Sequence, residues 1–177
     1  IVPDTTFVDC PQLDLVCVPG GAGMNPLMED AETLAFLRKQ APGARYVTSV
    51  CTGALVLGAA GLLKGKRATT HWMSHEMLSA LGATPVAERV VVDGNLITGG
   101  GVTAGIDFAL RVAAEAFGED LAKAIQLGIE YDPHPPFNAG SPEGAGPAVV
   151  DRALTTAAKR QAERAAIVAR AAARLAG

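Results

Sequence analysis

With 177 residues, 49% of them apolar and 19% charged, the chain can build one domain with a sizeable core and is too poor in charge to be disordered. Its formal net charge of −3 gives no general attraction to nucleic acid or to an anionic membrane, and no apolar run approaches a membrane-spanning helix. The three cysteines, Cys10, Cys17 and Cys51, are irregularly spaced and contain no C-x-x-C pair. They exclude a disulfide framework and imply free thiols in a reducing compartment, the cytoplasm. No secretory leader is visible. The chain opens on Ile1 rather than methionine, so a preceding segment is expected.

Leu13-Asp14-Leu15-Val16-Cys17-Val18, ending at Pro19-Gly20-Gly21, reads as a buried parallel strand and a sharp loop. Asp30 to Gln40 carries Leu34, Phe36 and Leu37 among charges, as a helix covering a sheet does. Pro42-Gly43 ends it, and Tyr46 to Val50 is a second strand running into Cys51. Thr52 to Ala60 is an apolar helix stopped by Gly61. Arg67 to Thr70 is a short strand, and Ser74 to Leu81 a short helix ended by Gly82. Val90-Val91-Val92 and Asn95-Leu96-Ile97-Thr98 flank Asp93-Gly94, a two-residue hairpin signal. After Gly99-Gly100-Gly101, helices are expected over Thr103 to Phe117 and Asp120 to Tyr131.

This βαβα order predicts a doubly wound α/β sandwich, but one whose first visible strand already lies deep in the pattern. An N-terminal βα unit is therefore expected to precede it. The core is expected to span residues 1–131. Residues 132–147 hold five prolines and three glycines and are expected to form an arm without regular structure. The tail, residues 148–177, is an alanine-rich helix with six basic residues (Arg152, Lys159, Arg160, Arg164, Arg170, Arg174) against Asp151 and Glu163. This charge reads as a solvated face.

Ser49-Val50-Cys51-Thr52-Gly53 has the form small-x-nucleophile-x-small between a strand and a helix, as in a nucleophile elbow. Bulky residues two positions away would clash in so tight a turn. The elbow presents its side chain at the C-terminal edge of the sheet, where open α/β folds bind ligands. The following helix N-terminus favours thiolate over thiol. A free cysteine is more often a small buried hydrophobe. That reading suits Cys17, in mid-strand; Cys10 is expected to be neither catalytic nor bridged; Cys51 is the candidate nucleophile. Gly20 and Gly21 could bring backbone N–H groups close to a ligand, or merely turn the chain. Thr52 adds an N–H and a hydroxyl beside the nucleophile. Gly99-Gly100-Gly101 lacks the G-x-G-x-x-G form of a dinucleotide site. His71 and His75, at i and i+4, lack a third ligand and the H-E-x-x-H order, so no metal is expected. His71 could serve Cys51 as a base, and His134, in the arm, is structural or exposed.

Together with Ala54, Ala59-Ala60-Gly61-Leu62-Leu63, Ala68-Thr69-Thr70-His71-Trp72, Ile97-Thr98-Gly99-Gly100-Gly101, Glu130-Tyr131 and Pro135 to Pro142, these segments resemble the PfpI/ThiJ superfamily. Within it, the bacterial isocyanide hydratases are the nearest likeness. The resemblance implies a flavodoxin-like fold, a homodimer, and hydration of an isocyanide to an N-formamide without metal or organic cofactor. It implies attack by Cys51 through a covalent thioimidate and substrate contact at Thr52. Gly100 and Val102 match positions tied to mobility of the helix beside the nucleophile. The family's general acid, an aspartate, belongs to the first βα unit, so it is expected in a segment preceding this chain; Asp14 does not replace it. The arm, anchored by residues such as Phe137, is expected to pack on the second subunit. Other activities of the superfamily (amidase, glyoxalase-like or protective thiol chemistry) remain open. So does the ligand-sensing role of AraC-type regulators, which share the Ala-Thr-Thr-His-Trp region. Such a regulator needs a helix-turn-helix, and a single basic helix does not supply one.

Overall fold

The structure, a computed structural model, describes residues 2–177. Ile1, the residue behind the expectation of a preceding segment, lies outside them. The central sheet has four strands: β1 (Leu15–Val18), β2 (Tyr46–Val50), β5 (Val90–Asp93) and β6 (Leu96–Gly99), in the order β1-β2-β6-β5. β1, β2 and β6 run parallel, and the hairpin makes β5 antiparallel. β3 (Arg67–Ala68) and β4 (Thr84–Pro85) pair separately.

Helices close both faces of the sheet. α1 (Met24–Leu27), α2 (Ala31–Gln40) and α3 (Gly53–Ala59) lie on one side, and α5 (Ala104–Phe117) packs on β6, β5 and β2 on the other. Asp30 caps α2 by accepting from the Thr33 N–H at 2.9 Å, which satisfies an otherwise orphaned donor. α4 (Met77–Ala80) and α8 (Pro147–Ala176) pack over α3, and α6 (Glu119–Gly128) lies along α5. All seven residues of α3 are buried, so the helix behind the nucleophile is sealed between the sheet and α8. The core gathers Leu55, Val56, Leu57, Leu63, Leu78 and Leu81 with Val168 and Ala171 of α8. Among the described residues, no helix is long and apolar enough to cross a membrane.

Several boundaries differ from the sequence reading. Asp93 pairs with Leu96, so the hairpin turns at Gly94-Asn95, one residue later than expected, with Gly94 at φ +65°. The helix expected over residues 74–81 is a 3₁₀ turn, Trp72–Ser74, followed by α4; His71 starts the turn early by accepting from the Met73 N–H. α6 stops at Gly128, beyond which Glu130 takes φ +53°. The arm does hold regular structure, one turn of helix, α7 (Pro142–Ala145), because proline is tolerated at a first helical position and Ser141 caps it. α8 likewise begins on Pro147.

β1 is an edge strand buried on one face only. Val16 and Val18 enter the core, whereas Leu15 and Cys17 are exposed on the opposite face. Cys17 is therefore exposed, not the buried hydrophobe its strand position suggests.

Candidate active site

Cys51 leaves β2 with φ +57°, the left-handed region that non-glycine residues seldom enter. Such a conformation costs of order 1–3 kcal/mol and persists only where its surroundings fix it. Here the Cys51 N–H donates to the Gly99 carbonyl at 2.9 Å, and the Thr70 hydroxyl donates to the Cys51 carbonyl at 2.8 Å. The turn is also held by missing side chains. A Cβ on Gly53 would lie 2.0 Å from the Val18 carbonyl oxygen, and one on Gly20 would lie 2.7 Å from the Cys51 Cβ. The small residues around Cys51 thus have a direct steric reason.

The Gly21 N–H donates to the Thr52 hydroxyl at 3.2 Å, which ties the loop after β1 to the elbow and occupies that donor. The N–H groups of Gly20 and Thr52 have no partner among the described residues. They are free backbone donors beside Cys51, suited to developing negative charge. Ser49 Oγ, two residues before the nucleophile, is buried with no hydrogen-bond partner among the described residues.

His71 is half-buried, with its ring beside Gly101 and stacked against Trp72, which is 36% exposed. Its Nδ1 accepts from the Met73 N–H at 3.3 Å, so the neutral ring carries its proton on Nε2. Burial, and then the charges of Arg164 and Arg160, hold its pKa below the usual imidazole value. No hydrogen bond joins His71 to Cys51 among the described residues. His75 is spent on Thr69, its Nε2 lying 3.2 Å from the hydroxyl. His134 is exposed in the arm beside Asp132. Gly100 is buried and donates its N–H to the Arg89 carbonyl, whereas Val102, 82% exposed, stands on the loop that opens α5.

The tail helix departs most from the sequence reading. Its basic side chains are not all solvated. Arg164 is 4% exposed, its Nε donating to Asn25 Oδ1 at 3.0 Å and its Nη1 to Ser74 Oγ at 3.1 Å. Arg170 forks onto Glu29 at 2.8 and 2.7 Å, and Arg174 joins it at 3.3 Å. Thr70, Asn25, Ser74 and Arg164 all support the elbow's surroundings. Local motifs single out neither Asn25, Ser74 nor Arg164, because each acts across the chain; Asn25 and Arg164 are 139 positions apart.

Residues 1–115 match the DJ-1/PfpI family. An isonitrile hydratase of Pseudomonas putida is 64% identical over 173 residues, which cover 98% of this chain and 76% of that one. A ThiJ/PfpI family protein from Pseudomonas syringae superposes with a TM-score of 0.91 at 46% identity, over 95% of this chain and 70% of that one. The HTH-type transcriptional regulator GbdR of Pseudomonas aeruginosa is 34% identical over 75% of this chain but only 36% of its own length.

Proposed function

The chain belongs to the DJ-1/PfpI family, and from there we propose that it hydrates an isocyanide, R–N≡C, to the N-formamide with Cys51 as nucleophile. The likeness of nearly the whole chain to the Pseudomonas putida isonitrile hydratase carries this reading. The strained elbow at Cys51 supplies matching chemistry. The thiolate attacks the terminal carbon, and a proton added at that carbon gives the thioimidate R–N=CH–S–Cys51. Water then adds to the same carbon, and collapse of the adduct returns the thiol and releases R–NH–CHO. Covalent catalysis divides one hard addition into two easier steps. Neither step calls for a metal or an organic cofactor.

In this reading the Gly20 and Thr52 N–H groups stabilise the charge of the tetrahedral adduct, with Gly21 holding the Thr52 side chain in place. His71, neutral and protonated on Nε2, lines the site as a donor rather than as a base for Cys51. Gly100 and Val102 belong to the mobile approach to α5. The protein is cytoplasmic and homodimeric, with the arm of residues 132–147 seated on the partner. None of those residues is buried within the chain, and Phe137 is 77% exposed. A monomer in sedimentation equilibrium would count against the dimer.

A second reading, a ligand sensor, draws on the likeness to GbdR. It is the weaker reading, because the match spans 36% of GbdR against 76% of the Pseudomonas putida isonitrile hydratase, at 34% against 64% identity. One experiment separates the two. Purified protein is mixed with p-nitrophenyl isocyanide and formamide is followed, with Cys51→Ala as control. Turnover in the native protein, reduced at least ~10³-fold in the variant, is the expected result. Binding without turnover would favour the sensor, and full activity in Cys51→Ala would remove the nucleophile assignment.

A further inference from the structure

The peptide that links Cys51 to Thr52 is held from one side. The Thr70 hydroxyl, 19 positions along the chain, donates to its carbonyl at 2.8 Å. The peptide is trans, so its N–H points away from that hydroxyl. Whatever fixes the carbonyl therefore also aims the Thr52 N–H. The Ala54 N–H reaches the same oxygen only at 3.4 Å, so the hydroxyl makes the shorter bond.

This peptide needs such a hold. Cys51 lies at φ +57°, where a residue with a side chain does not rest of its own accord. Its N–H is fixed by the Gly99 carbonyl, which continues the pairing of β2 with β6. The peptide on its other side lies beyond that pairing, and rotation there would turn the Thr52 N–H away. The space in front of this N–H exists because residue 20 is glycine. A Cβ at Gly20 would lie 2.7 Å from the Thr52 nitrogen and 3.0 Å from its hydroxyl oxygen.

Thr70 is braced in its turn. It is buried, and the segment around it is tied down on both sides. Before it, the Thr69 N–H donates to Thr98 Oγ1 of β6 at 2.9 Å, and the Thr69 hydroxyl lies 3.2 Å from His75 Nε2. After it, the Ser74 N–H closes onto the His71 carbonyl at 2.8 Å. The hydroxyl thus stands in place without a ligand, as a preorganised site requires. A buried hydroxyl often does no more than satisfy a carbonyl. Thr48 is such a case, donating to the Val16 carbonyl at 2.9 Å between two strands. Thr70 makes a bond of the same kind, but the carbonyl belongs to the candidate nucleophile.

We propose that Thr70 is a positioning residue: by holding the Cys51 carbonyl it aims the Thr52 N–H at the adduct formed on Cys51. This role rests on the reading of Cys51 as nucleophile.

The test combines steady-state turnover of p-nitrophenyl isocyanide with crystal structures of the wild type and the variant. Thr70→Val removes the hydroxyl and nearly keeps the shape. Its kcat should fall about tenfold with KM within about twofold of wild type, because the N–H is misaimed while substrate binding is spared. Thr70→Ser returns the hydroxyl and should recover kcat to within about threefold. Thr48→Val loses an equivalent buried hydroxyl and should keep kcat within about twofold, even where its thermal midpoint drops. A kcat for Thr70→Val within about twofold of wild type, or a loss matched by Thr48→Val, overturns the proposal. So does a serine variant as slow as the valine one. In the Thr70→Val crystal the Cys51–Thr52 peptide should be rotated from its wild-type plane, and an unmoved peptide also overturns the proposal. Should Thr70→Val fail to fold, Thr70→Ala, which adds no second methyl, is judged by the same measures. If the wild type turns over no isocyanide, the reading of function fails, and the position of the peptide in the variant crystal still decides whether Thr70 holds it.

Discussion

α8 carries two pairs of arginines at the same helical spacing, and they live in opposite surroundings. Arg170 and Arg174 converge on one carboxylate, Glu29, and stay largely in solvent. Among the described residues, Arg160 and Arg164 form no ion pair with a carboxylate, and Arg164 is buried against the loops of the elbow. The first pair fastens the helix to the end of α1. In the second, Arg164 meets the neutral side chains of Asn25, Ser74 and Gln161. Identical residues on one helix thus meet a carboxylate at one end and neutral side chains at the other.

The sharpest way to break this contrast is to give the inner pair what the outer pair has. Asn25→Asp keeps the side-chain shape and sets a carboxylate oxygen where Arg164 Nε now meets an amide oxygen. The thermal midpoint should not fall, because the buried cation is then paired locally, and a drop of several degrees would show that the neutral partners already suit it. The reverse operation, Glu29→Gln, should lower the thermal midpoint and leave turnover within about twofold, since the outer pair does not touch the elbow. A parallel loss of turnover would merge the two ends into one unit.

A smaller effect follows from acidity. Hydrogen bonds from Arg170, and then from Arg174, hold the Glu29 carboxyl down to about 2 from an ordinary 4.5. A carboxyl that is more acidic in the folded state stabilises the fold above its unfolded pKa. That contribution is lost as pH falls from about 4.5 towards 2. Urea midpoints measured across that interval should drop more steeply for the native protein than for Glu29→Gln. Identical slopes would mean that the ion pair contributes nothing in solution.

The elbow was legible in sequence because its logic is local. Ser49, Cys51 and Gly53 sit within five residues, and their sizes follow from a turn whose contacts, Gly53 on the Val18 carbonyl above all, leave no room for a side chain. The doubly wound architecture was legible for the same reason: the strands and helices announce themselves by short-range pattern. Cys17 was misread because strand composition does not say which face a neighbouring helix will reach. α7 was missed because proline was read as a breaker where it occupies a first helical position. Arg164 was hidden more deeply. Periodicity marks a basic face on α8, but only the packing of α8 over α3 and the Trp72–Ser74 turn decides which arginine leaves water.

The backbone of Cys51 has a consequence for the life of the molecule before it works. A left-handed cysteine holds its place only once the Gly99 carbonyl and the Thr70 hydroxyl have reached it, and both arrive from distant parts of the chain. A nascent or damaged copy that has not assembled β6 and the segment after β3 therefore has a thiol but not a poised one. Such copies carry Cys51 as an ordinary thiol, and only the assembled molecule sets it beside the donors of the elbow.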